Sequence, residues 1–288
     1  MISKIPEKTQ SELAKQAKRL KGQLSIGDEA PIGNDLPAVL QKLGIILLEY
    51  PIQRTGSDSF SAIFCRVKVD DREVLFLGVN SWDYYDRQLF AIAHELYHFL
   101  NPGQPHISRD DVAGNPIEQL ADWFAAELLL PLQVLKTQIM DAFGKNEING
   151  FSRSALLRFI ARLQCTWWLP YKSIVHRLYE ADAISEDTYQ SLFSIDERNP
   201  GDMYYRIGEA TSREAFHLLN KQTKRCGTES VNLEDCLRNY EDGIISEEEL
   251  YDGLQLFDRT PEDFGISFIT DDDEDKDEVK SGGDGDGC

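Results

Sequence analysis

Tyr84-Tyr85-Asp86-Arg87-Gln88-Leu89-Phe90-Ala91-Ile92-Ala93-His94-Glu95-Leu96-Tyr97-His98-Phe99-Leu100 is apolar on almost every side when wound as a helix. Leu89, Phe90, Ile92, Ala93, Leu96, Tyr97, Phe99 and Leu100 leave no broad polar face, so this helix belongs at the centre of a domain. Asn101-Pro102-Gly103 ends it. Upstream, Asp35 and Pro37 open a short helix running to Leu43, and Gly44 closes it. Ile45 to Tyr50 then reads as a buried strand. Strands are expected at Ala62 to Val69 and Glu73 to Val79, with a tight turn at Asp70-Asp71. Downstream, Pro116 to Leu130 is a second strong helix, stopped by Pro131. Strands first and helices after predict an α+β fold. The expected architecture is a small antiparallel sheet packed on the central helix, followed by a mostly helical C-terminal half.

Within the central helix, His94 and His98 are one turn apart and share a face. That spacing lets both imidazoles hold one zinc ion, and Glu95 between them can act on a metal-bound water as general base. The chain has only five histidines in 288 residues, which makes the pattern informative. A catalytic zinc takes three protein ligands and keeps one position for water. The Pro116–Leu130 helix offers Glu118 and Glu127, which face opposite ways. Glu118 shares its side with Ala121, Asp122 and Ala125, whose small side chains permit close approach to the motif helix. Glu118 is therefore the expected third ligand. Asp122, one turn on, is placed to accept the second ring N–H of a zinc-bound histidine. Glu127 is read as a capping or salt-bridge residue. His106, His176, His217 and several tyrosines are candidates for a donor to a developing oxyanion.

The remaining composition sets boundaries. Net charge is −20, which opposes direct nucleic-acid binding by the chain as a whole. Asp271 to Cys288 is an acidic, Gly-rich tail expected to be disordered. The five cysteines form an odd set without a C-x-x-C pair, the pattern of a reduced, cytoplasmic protein. No apolar run is long enough to span a membrane. Helices are expected at Thr9 to Gly22, Ser152 to Leu163, Tyr171 to Glu180, Ser185 to Phe193 and Ser246 to Leu256, the last opened by Ser246-x-x-Glu249. Arg153, Arg158, Arg162, Lys172 and Arg177 make the second and third of these basic, inviting a helix-turn-helix reading. The acidic charge favours instead a helical subdomain, or one that docks a peptide.

His94-Glu95-x-x-His98 followed by Glu118-x-x-Ala121-x-x-Phe124-Ala125-Ala126-Glu127-Leu128-Leu129-x-Pro131 resembles the ImmA/IrrE family of zinc metallopeptidases. The preceding Arg87-Gln88-Leu89-Phe90-Ala91-Ile92-Ala93 is similar to the run before that family's motif. The resemblance is specific over Ala62 to Pro131, weakens toward Phe193 and is vague beyond. It implies His94, His98 and Glu118 as ligands of Zn2+ and Glu95 as catalytic base. It also implies a protein substrate, a helix-turn-helix transcriptional repressor. Tyr97 departs from the family, which usually has glycine there, and adds bulk beside the site. The expected organisation is a zincin-like metallopeptidase domain over 1–145 and a helix-turn-helix-like subdomain over 146–200. A helical region over 201–268 and the acidic tail over 269–288 complete it. The competing function is a non-catalytic, zinc-containing regulatory module that sequesters a repressor or other partner.

Overall fold

The computed structural model describes residues 5–53, 60–69, 72–102, 108–109, 115–228, 230–255 and 259–267. The chain falls into two compact units, Met1–Thr228 and Glu229–Cys288. The Asp70-Asp71 turn, His106 and the acidic tail lie outside the described residues.

In the first unit, helix α1 (Glu7–Gln23) and helix α2 (Leu36–Lys42) precede strand β1 (Ile45–Tyr50). Strands β2 (Phe60–Val69) and β3 (Arg72–Asn80) form an antiparallel pair, with Ala62 opposite Val79 and Phe64 opposite Leu77. The central helix α3 (Tyr85–Leu100) follows, then a two-residue strand β4 (Ser108–Arg109) and helix α4 (Pro116–Leu129). Helices α5 (Leu132–Phe143), α6 (Arg153–Trp167), α7 (Tyr171–Glu180), α8 (Glu186–Phe193), α9 (Met203–Thr211) and α10 (Arg213–Leu219) lead to strand β5 (Gly227–Thr228).

The α+β expectation holds, with helices dominating after Pro131. The sheet is mixed rather than wholly antiparallel: its order is β4-β2-β3-β1-β5, and β1 runs parallel to β3. The reason is steric order. The chain leaves β1, skips one position to lay down β2, and the return strand β3 fills the gap running in the direction of β1. The buried Asn80 locks that arrangement at one end. Its Oδ1 accepts from Ile52 N and Trp82 N at 3.0 Å each, while its Nδ2 donates to Ile52 O at 2.9 Å and Phe60 O at 3.2 Å. One amide thus satisfies backbone groups from the ends of all three strands, where the ladder has run out of partners.

The start of α3 is fixed as firmly. Asp86, fully buried in its first turn, accepts from Arg87 N at 2.8 Å and takes both oxygens to Arg198 Nη2 at 2.7 Å. Burial raises the Asp86 carboxyl above its ordinary range, against the pull of Arg198. Leu89, Ala93 and Leu96 of α3 and Ala121, Phe124 and Ala125 of α4 join one core that extends from Leu13 to Leu219. Along it, α9 packs on α6, and Gly208 lets Phe216 of α10 approach; a Cβ there would overlap the ring.

Arg177 is not part of a basic surface. It is fully buried, donating to Leu130 O at 3.3 Å and Glu180 Oε2 at 2.8 Å and pairing with Glu127. Its guanidinium also lies 4.8 Å from the Trp123 ring centroid. The basic reading of α6 and α7 therefore loses one of its five charges to the interior.

In the second unit, helices α11 (Ser230–Glu241) and α12 (Glu247–Gln255) pack together, with Leu250 and Leu254 buried. The expected capping box is present: Ser246 N donates to Glu249 Oε2 at 2.7 Å and Glu249 N to Ser246 Oγ at 3.2 Å. No described helix is long and apolar enough to cross a membrane.

Candidate metal centre

The site is assembled by two helices and the cap of one of them. Asn115 accepts from Ile117 N at 3.0 Å, and Pro116 occupies the first helical position, where its missing N–H costs nothing. That start places Glu118 in the first turn of α4, where the helix dipole favours a carboxylate. Ala121 and Ala125 are fully buried, so α4 can lie close along α3. Across this seam Glu118 Oε2 stands 3.1 Å from His94 Nε2, and Glu118 Oε1 3.4 Å from His98 Nε2. The two Nε2 atoms are 3.4 Å apart.

Three ligand atoms about 2.1 Å from one tetrahedral ion sit about 3.4 Å from each other. His94, His98 and Glu118, whose ligand atoms all lie within 4.8 Å, form the one such group of three or more among the described residues. The donor set fits a metal ion on chemistry as well as spacing. Asp122 Oδ1 lies 2.8 Å from His94 Nδ1, so the carboxylate holds the proton on Nδ1 and leaves the Nε2 lone pair facing the cluster. The cluster then presents lone pairs and negative charge to a common point. Glu95, buried beside it, has an Oε1 without a hydrogen-bond partner among the described residues.

The electrostatics agree. Burial alone would lower the His94 pKa, but hydrogen bonds to Asp122 and Glu118, with the charges of Asp122 and Glu95, raise it to about 10. The same negative groups that could hold a metal ion here favour a proton on His94.

The structure brings His94, Glu95, His98, Glu118 and Asp122 together. Glu127 faces away, pairing with Arg177 and accepting from Leu132 N at 3.0 Å, so it is both capping residue and salt-bridge partner. Tyr97 is absorbed by the interior, its ring 5.5 Å from that of His98 and 5.9 Å from that of Phe124. His176 pairs with Glu180 at 3.4 Å and His217 with Glu209 at 2.8 Å, neither within the cluster. Sequence reading missed the buried Arg177 and the half-buried Arg198 as anchors of the two helices. Their partners are far off in sequence, and neither spacing carries a local signal.

Residues 41–179 match the model of Peptidase_M78, an IrrE N-terminal-like domain. The segment is similar to that domain. The match agrees with the ImmA/IrrE resemblance of the motif and spans both helices of the cluster together with α5, α6 and most of α7. The match suggests a metallopeptidase type, and a peptidase family implies a protein substrate. No curated protein and no solved structure matches the chain.

Proposed function

We propose that the protein is a zinc-dependent metallo-endopeptidase. The observation that carries the reading is the convergence of His94 Nε2, His98 Nε2 and a Glu118 oxygen on one point, with the carboxylate of Glu95 buried next to it. His94, His98 and Glu118 would hold the ion, with Asp122 orienting His94. When bound, zinc supplies Lewis acidity to the scissile carbonyl and lowers the pKa of a water toward about 7.

The chain's own residues do the rest. Glu95 takes the proton of the attacking water on its free oxygen and delivers it to the leaving amine. Burial of Glu95 and His94 keeps bulk water from competing for that proton. By its family resemblance the substrate is a helix-turn-helix transcriptional repressor. A cytoplasmic location suits both that partner and the four described cysteines, all free thiols.

Glu95→Gln tests the assignment. It keeps the side-chain volume, so zinc content should match that of the parent while peptide-bond cleavage falls by about 100-fold or more. Retained zinc with parental cleavage would remove Glu95 from the mechanism. A stable, uncut complex between parent protein and repressor would support the sequestering module instead.

A further inference from the structure

A cleft of about 500 Å³ opens on the same α3/α4 seam as the metal cluster and shares Asp122 with it. Phe90 precedes His94 by one turn of α3, and Ala126 follows Asp122 by one turn of α4, a displacement of about 6 Å along each helix. Both residues line the cleft. Its far wall comes from α7 and α8, where Tyr189 and Phe193 stack at 5.2 Å between centroids. Trp123 completes a lining in which four aromatic rings surround one volume.

The charges narrow the occupant. Asp122 and Glu180 both line the cleft and already engage His94 and the pair Arg177 and His176, so those cations are committed and give a phosphate no counter-charge. The Lys172 ammonium, 5.0 Å from the Phe193 centroid, is engaged with that ring. Gln119 and Ser173 at the wall offer uncharged hydrogen-bonding groups of the kind a peptide backbone uses. The volume lies within the range of sites that enclose small ligands.

We infer that this cleft is the specificity pocket of the peptidase, receiving a large apolar side chain, aromatic or long aliphatic, from a residue beside the scissile bond. The inference rests on the peptidase reading and names the substrate feature that the site selects. Phe90, Tyr189 and Phe193 then act as specificity-determining residues, and the helices that follow α4 form part of the substrate site.

Two measurements on the zinc-loaded, full-length protein test it. In the first, a proteome-derived peptide library is digested and the cleaved bonds are sequenced by mass spectrometry. One side of the cut should be enriched in Phe, Tyr, Trp, Leu and Met. In the second, blocked pentapeptides Gly-Ala-X-Ala-Gly, with X as Phe, Leu, Ala or Gly, are titrated into Glu95→Gln protein by ligand-observed NMR. Affinity should fall about tenfold or more from Phe to Ala, as loss of a buried aromatic ring requires. Ser173→Trp, which fills the cleft, should abolish both preferences while zinc content and melting temperature stay parental. Cleavage without an apolar preference, or a preference that survives Ser173→Trp, overturns the inference. If nothing is cleaved yet Phe-dependent binding persists and is lost in Ser173→Trp, the hydrolase reading fails and the pocket stands.

Discussion

Helix α4 carries a buried charged cluster on each of two opposite sides, and the two are built on opposite principles. On one side Glu127 meets Arg177, which also reaches Glu180 and Leu130 O, while Glu127 accepts from Leu132 N. Donors and acceptors are matched, so the network is complete as folded. On the other side Glu118 meets His94 and His98, and the groups are mostly acceptors aimed at each other. A structural ion pair and a metal site contain similar residue types at similar depth. What separates them is whether the protein alone supplies the opposite charge.

That contrast can be broken from either side. The largest effect is expected for Arg177→Met, which strands Glu127 and Glu180 in the interior. Chemical denaturation should show a loss of about 3–5 kcal/mol, as for other buried pairs cut on one side, with zinc stoichiometry unchanged in the folded fraction. Glu118→Ala should do the reverse, removing zinc binding, read by competition with a chromophoric chelator, while the metal-free protein stays folded. Asp122→Asn keeps all three proposed ligands and should weaken zinc about 10–100-fold by loosening His94. Loss of zinc from Arg177→Met at parental stability would invert the comparison.

The two sides also titrate in opposite windows. In the metal-free protein His94 is raised from 6.5 to about 10. Its stabilising contribution is therefore full below 6.5 and lost as pH rises through about 10. Glu180 is held below its ordinary value of 4.5: burial would raise it, but His176 and Arg177 outweigh that. Its contribution is present above 4.5 and lost as pH falls through the depressed value. Melting temperature against pH should show both limbs, and zinc should erase only the alkaline one. Zinc binding should release a proton near neutral pH, measurable by calorimetry in buffers of different ionisation enthalpy.

Much of this was legible in residue order. The end of α3, the start of α7 and the whole of β1 follow from apolar runs that meet Gly or Pro, which are local signals. Glu118 and Asp122 were legible because a helix turns spacing into direction. Long-range facts were not. The parallel pairing of β1 with β3 depends on which gap the third strand fills, and hydrophobic alternation is the same either way. Strands β4 and β5 have two residues each, too few for any periodicity. Arg177 looked like surface charge because the partner that ties it into the interior, Glu127, lies fifty residues away in α4. The aromatic cleft draws on α3, α4, α7 and α8, so no window of sequence contains it.

Asn80 has a consequence for how the metal helix is aimed. Its amide donates to two carbonyls and accepts from two amides at the point where the sheet gives way to α3. An aspartate of the same shape would confront those carbonyls with negative charge, and a leucine would take this partner from both carbonyls and from Trp82 N, with Ile52 N keeping only Tyr50 O. The keystone between sheet and helix is thus a single carboxamide whose paired donor and acceptor no other side chain of that size supplies, and the aim of both imidazoles is set fourteen residues before the first of them.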